Sequence, residues 1–256
     1  AVATAEALGS AGQQLAHRLG SDTAEPLHVD LLVISAFNGI GGAFRGFDLA
    51  GVKPAGLIAI EWDRAAQRVT RKAWPQVIEI GDIESIEKRQ VMQWANLFPR
   101  VTHVQVIGGF PCVHLSSARA GRENLEGEGS RLFYNLKRLI TWVEDAFGHT
   151  ARVDFLVENV LSMDASARAE ISRELGVEPY ALCPSDILPK RPRLAWTSQE
   201  LVETEGISFE RMEGFIRVHM KGSPITDEQW IEPGWFRFDS SSALSTFMKI
   251  GRASCR

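Results

Sequence analysis

Cys112 stands at the end of an apolar run that passes through two glycines and a proline, Val106-Ile107-Gly108-Gly109-Phe110-Pro111-Cys112. Pro111 has its φ preset and pushes Phe110 to extended geometry, so a side chain at Cys112 is held by a stiff turn at a strand end. A thiolate there is a nucleophile, although this segment alone leaves a buried, inert thiol equally open. Other strand ends also carry chemistry. The loop Phe37-Asn38-Gly39-Ile40-Gly41-Gly42 lets a ligand approach the backbone closely. Glu61, about 20 positions further on, is placed to accept hydrogen bonds from ribose hydroxyls. Trp62 can lie on an adenine ring or pack beneath the sheet edge. Asp82 and Glu158 close two further strands. Together these describe a site for a nucleoside-bearing cofactor. The loop lacks the regular glycine spacing of the dinucleotide fingerprint, which argues against a nicotinamide cofactor.

The elements that must position these residues follow from apolar runs and punctuation. Leu31 to Ile34, Gly56 to Ile60, Val77 to Ile80, Val104 to Ile107 and Val153 to Val157 read as buried strands. Between them lie helical stretches: one carrying Phe44, Phe47 and Leu49 and stopped at Gly51, one from Arg64 to Ala73 capped by Asp63, and one from about Glu84 to Leu97. Ala118 to Ser130 reads as a long polar loop. The spacing of Phe133, Leu136, Ile140, Val143 and Phe147 gives a helix with one apolar face, and Ala165 to Leu175 gives another. Alternation of strand and helix predicts a mostly parallel, doubly wound α/β sheet of the Rossmann-like kind, with ligands held outside the carboxyl ends of its strands. Five functional strand ends are therefore expected on one rim.

Composition narrows the partners. The 256 residues carry a formal net charge of -4, so a nucleic-acid partner must be met by a local basic patch. Three widely spaced cysteines, Cys112, Cys183 and Cys255, fit neither a zinc clamp nor a disulfide framework, and a reducing intracellular setting is expected. No window resembles a membrane span or a signal peptide, so no membrane partner is expected.

Phe37-Asn38-Gly39-Ile40-Gly41, Gly109-Phe110-Pro111-Cys112, Glu158-Asn159-Val160 and Arg191-Pro192-Arg193 occur in this order across about two thirds of the chain. In order and separation they resemble the motifs of the cytosine 5-methyltransferases. The stretch Ser116 to Phe133 is more similar to the de novo branch and some phage enzymes. The resemblance implies a class I S-adenosylmethionine-dependent methyltransferase fold and transfer of a methyl group to carbon 5 of cytosine in double-stranded DNA. Cys112 would be the nucleophile at carbon 6. Glu158 would serve ring nitrogen 3 with a carboxyl whose pKa an enclosed site raises. Asn159 would orient its loop, and Arg193, with Arg191 behind it, would hold the base's carbonyl and favour the thiolate. S-adenosyl-L-methionine would meet Phe37, Gly39, Gly41 and Pro111, give its ribose to Glu61, lay its adenine on Trp62, and present the adenine edge to Asp82 and Ile83. The target base must be flipped from the duplex, with Ser116 to Gly129 closing over it.

Val113-His114-Leu115-Ser116 follows the cysteine where many family members carry glutamine or asparagine. A backbone or DNA contact is the expected role of His114, in preference to a dyad with Cys112. Arg119 and Arg122 are candidates for phosphate contacts, and Cys183 is expected to be structural. The expected organisation is a helical lead-in over 1–29, a catalytic domain over 30–197, and a small, irregular partial target-recognition lobe over 198–249. The heptapeptide 250–256 matches a translated sequencing adapter, and the natural carboxyl-terminal part is expected to be missing. Two rivals stay open: the same chemistry on transfer RNA, and a non-catalytic scaffold. The sequence is silent on oligomeric state.

Overall fold

The first strand is longer than its apolar centre predicts. β1 covers Leu27–Ala36, alternating in burial over its first four residues and wholly buried over the last six. This computed structural model describes residues 27–111, 128–182, 192–203 and 206–220, without the side chains of 128–130 and 220. The chain divides into two units, residues 1–107 with 141–153 and residues 108–140 with 154–256.

In the first unit, β1 is followed by α1 (Gly42–Leu49), β2 (Val52–Ile60), α2 (Arg64–Ala73), β3 (Ile78–Glu79), a short 3-10 turn (Ile83–Ser85), α3 (Lys88–Leu97) and β4 (His103–Gly109, its last two residues in the second unit). The strand order here is β3-β2-β1-β4, and both β1 with β2 and β2 with β3 are parallel. Parallel neighbours require crossovers, which α1 and α2 supply. Leu31 and Val33 of β1, Leu57 and Ala59 of β2, and Phe44 of α1 form one buried cluster. Leu32, Ile34, Ile58 and Ile60 are buried as well. Burial of both parities explains why these strands read as continuous apolar runs, each large side chain contributing about 1.5–3 kcal/mol. Asp63 caps α2 as expected, accepting from Ala65 N at 2.6 Å and Ala66 N at 3.4 Å. The helical stretch expected from Glu84 is instead the 3-10 turn, with α3 starting only at Lys88.

The second unit holds β5 (Arg152–Val160, its first two residues in the first unit), α5 (Ala165–Leu175), β6 (Tyr180–Leu182), β7 (Arg193–Thr197), β8 (Ile207–Met212) and β9 (Phe215–Met220), ordered β5-β7-β6-β9-β8. Here the pairing is mixed: β7 runs antiparallel to both β5 and β6, whereas β6 and β9 are parallel. The long helix α4 (Glu128–Phe147) begins inside the stretch expected to be loop. Its face of Phe133, Leu136, Leu139, Ile140, Val143 and Phe147 is buried, as the periodicity predicts. Residues 207–220, expected in an irregular lobe, form a regular hairpin with Met212 opposite Phe215. Its parallel partner β6 gives β9 backbone hydrogen bonds that no local pattern announces.

Candidate functional site

The glycine loop of the first unit starts in an unusual backbone state. Phe37, directly after β1, is the sole non-glycine residue with positive φ among the described residues, at 54°, and Gly39 and Gly41 follow at 56° and 92°. A bulky residue held in the left-handed region costs of order 1–3 kcal/mol and persists only where its surroundings over-determine it. Those surroundings are visible. Asn38 N donates to Ile60 O at 3.1 Å, and Gly39 N donates to Glu61 Oε2 at 2.7 Å. The Asn38 amide donates to Thr70 Oγ1 at 3.0 Å, and Thr70 Oγ1 donates to Gly39 O at 3.3 Å.

Glu61 therefore ties the loop to the end of β2. Its other oxygen accepts from Asp63 N at 2.9 Å, and its own carbonyl accepts from Gln67 Nε2 at 2.5 Å. A carboxylate offers about four lone-pair sites, so each oxygen retains one for a further donor. Trp62 is 61% exposed, which places its ring on the surface rather than beneath the sheet edge. Asp82 is exposed and caps the 3-10 turn by accepting from Glu84 N at 3.0 Å. Ile83, by contrast, is buried, so only its backbone is left to meet an adenine edge. Thr70 and Gln67 on α2 escaped the sequence reading. They act across 31 and 6 positions respectively, and no local motif marks them.

Two observations show that the loop has room and polar capacity for a ligand. A Cβ at Gly39 would meet nothing within 4 Å, so the loop faces open space there. The buried Asn38 Oδ1 also has no hydrogen-bond partner, leaving acceptor capacity in the loop.

In the second unit, Glu158 and Arg193 are diagonal neighbours on one face of the β5–β7 ladder, because Glu158 lies opposite Ala195 and Arg193 opposite Val160. Arg193 Nε approaches Glu158 Oε1 at 2.5 Å. The carboxylate expected in an enclosed site is thus 40% exposed and ion-paired. Gly109, at the end of β4, makes room for it: a Cβ there would lie 2.8 Å from Glu158 Oε2. Asn159 is buried, donating its amide to Phe110 O at 3.1 Å while its Oδ1 accepts from Val160 N at 2.8 Å. Phe110 packs against Phe133 of α4 with ring centroids 5.4 Å apart, and half-buried Pro111 follows. Phe110 is thereby held from two sides, by its carbonyl and by its ring. Cys112, Arg191, His114, Arg119, Arg122, Cys183 and the 116–127 segment lie outside the described residues. Among the described residues there is no cluster of three metal-ligating side chains, and no helix is long and apolar enough to cross a membrane.

A model of the C-5 cytosine-specific DNA methylase family matches residues 31–173. DNA (cytosine-5)-methyltransferase DRM2 of Oryza sativa subsp. japonica is 32% identical over 118 residues, covering 44% of this chain and 19% of that protein. The DRM1A enzyme of the same plant is 28% identical over 152 residues, 56% of this chain and 32% of its own length. Type II methyltransferase M.SsoII of Shigella sonnei is 28% identical over 131 residues, covering 51% of this chain and 30% of that enzyme. The chain thus spans no more than about a third of these curated relatives. A crystal structure of a Spodoptera frugiperda DNMT2 mutant matches with a TM-score of 0.55 at 19% identity, over 80% of this chain and 60% of that one. That likeness establishes the fold, a class I S-adenosylmethionine-dependent methyltransferase fold.

Proposed function

This chain belongs to the C-5 cytosine-specific DNA methylase family, and we propose that it methylates carbon 5 of cytosine in double-stranded DNA through a covalent adduct with Cys112. The observation that carries this reading is the pairing of Glu158 with Arg193 beside Gly109, on the strand whose Asn159 clamps the carbonyl two residues before Cys112. Carbon 5 of cytosine is a poor nucleophile. Addition of the Cys112 thiolate to carbon 6 places electron density on carbon 5, and a proton or hydrogen bond at nitrogen 3 accepts the developing charge. Glu158 serves nitrogen 3. Arg193 holds the base's carbonyl oxygen and, with Arg191, favours the thiolate form of Cys112. Asn159 holds the turn. After methylation the carbon 5 proton passes to water, the carbon 6–sulfur bond breaks, and the thiolate leaves as the aromatic ring is restored.

S-adenosyl-L-methionine supplies the electrophilic methyl group. Phe37, Gly39 and Gly41 line its amino-acid side, Glu61 takes the ribose hydroxyls through its remaining lone pairs, Trp62 lies against the adenine, and Asp82 with the Ile83 backbone meets the adenine edge. Base extrusion costs a few kcal/mol. The substrate places the protein inside the cell with the DNA. The domain limits 30–197 and 198–249 belong to the same reading.

The test is methyl transfer from labelled S-adenosylmethionine to duplex DNA and to transfer RNA in parallel. Label at carbon 5 of DNA cytosine supports the proposal. Label on transfer RNA alone replaces DNA with RNA as substrate, and label on neither returns the chain to a scaffold role.

A further inference from the structure

Trp74 lies just beyond α2 and outside every motif considered above, yet it touches the glycine loop. A Cβ at Gly41 would fall 3.0 Å from Trp74 Cη2 and 3.1 Å from its Cε3, so the loop backbone rests on the six-membered ring of the indole. On its other edge, Trp74 Nε1 donates to Asp48 Oδ2 at 2.9 Å. Phe44 meets the ring edge-on, with centroids 5.6 Å apart. Packing does not fill the surroundings, because a cavity of about 310 Å³ lies against the same indole, lined by Phe44, Asp48, Val52, Pro54 and Leu57 among others. A ring with empty space beside it loses contact energy on that side, so its orientation depends on the remaining directional contact.

We propose that Trp74 is a positioning residue for the cofactor loop and that exposed Asp48, through the indole hydrogen bond, sets where it stands. The inference rests on the cofactor assignment made above for Phe37, Gly39 and Gly41. With the Asp48 bond in place, the indole supports Gly41 in its left-handed conformation, in which Gly41 N donates to Asn38 O at 3.0 Å. Without it, the ring swings into the cavity and the loop loses its floor. Asp48 is exposed on α1 and its loss removes no core packing.

The experiment compares Asp48→Ala, Asp48→Asn and Trp74→Phe with the parent chain, reading S-adenosylhomocysteine affinity by calorimetry and hydrogen exchange of the Gly39 and Gly41 amides without ligand. Asp48→Ala and Trp74→Phe are expected to weaken binding about three- to tenfold, the range one hydrogen bond spans. They should speed exchange at Gly41 by a similar factor and raise KM for the methyl donor with kcat retained at saturation. Asp48→Asn keeps an acceptor oxygen and is expected to stay within about twofold of the parent on all three readouts. Unchanged Gly41 exchange in Asp48→Ala, an Asp48→Asn as impaired as Asp48→Ala, or a loss of kcat at constant KM would each overturn the proposal. If the parent chain binds no S-adenosylhomocysteine, the cofactor assignment fails, while exchange at Gly41 still decides whether Asp48 and Trp74 hold the loop.

Discussion

Asn159 on β5 donates its side-chain amide to the carbonyl oxygen of Phe110 at 3.1 Å, and both residues are buried. That carbonyl belongs to the peptide joining Phe110 to Pro111, so the bond holds that peptide plane in place. Asn159→Ala leaves a buried acceptor unpaired, at a cost of about 1–3 kcal/mol in stability. Methyl transfer is expected to fall about 10- to 100-fold with S-adenosylhomocysteine affinity within twofold, because the loop near Glu61 is untouched. Equal losses in cofactor affinity and turnover would assign Asn159 a general structural role instead.

Gly109 has no need of a left-handed conformation, so Gly109→Ala carries no backbone strain. The added methyl group instead meets Glu158 Oε2 at 2.8 Å and must push the carboxylate off its place beside Arg193. A melting temperature within a few degrees of the parent, together with a drop in kcat of at least about tenfold, is the expected result. Full activity in this variant would mean that the observed position of Glu158 is not the working one.

Glu61 accepts two backbone N–H groups and keeps lone pairs for a ribose. Glu61→Ala should therefore weaken S-adenosylhomocysteine binding about 10- to 100-fold, the scale of charge-assisted hydrogen bonds. DNA affinity should change by less than twofold. Titrations of both ligands on the same variant check this, and comparable losses would remove Glu61 from the cofactor site.

Tyr134 donates to Glu170 at 2.6 Å, and this hydrogen bond, with burial and the Glu170 charge, pushes its phenol up to about 12. A folded value above the unfolded one of about 10 stabilises the protein below pH 10, and the contribution disappears as pH rises from 10 to 12. The chain has only two tyrosines, so a phenolate absorbance titration should resolve a late component near 12. Tyr134→Phe should abolish that component, and Glu170→Gln should move it toward 10.

Much of this architecture is readable from local pattern. The buried strands declare themselves through continuous apolar runs, α4 through its periodicity, and α2 through Asp63. The hairpin β8–β9 escaped because most of the described residues of its strands are exposed and several are charged. Its signal was Glu213-Gly214 between the two runs, where Gly214 supplies the positive φ of 75° that the second central residue of a type II turn takes. Thr70, Gln67, Asp48 and Trp74 escaped for another reason: each serves the glycine loop from a neighbouring helix or its end, and such contacts leave no mark on the adjacent sequence. Sequence also placed Glu158 in an enclosure. Its ion pair with Arg193 became visible only with the antiparallel register of β5 and β7, which sets the two on one face.

The central claim is the covalent step at Cys112, and a mechanism-based trap tests it most directly. With duplex DNA carrying 5-fluorodeoxycytidine and S-adenosylmethionine, methyl transfer proceeds but fluorine cannot leave as a cation, so the bond between sulfur and carbon 6 persists. The parent chain is predicted to yield a denaturant-resistant protein–DNA complex that requires the methyl donor and is absent for Cys112→Ser. No complex with the parent chain, or one that survives the Cys112→Ser change, would contradict the account.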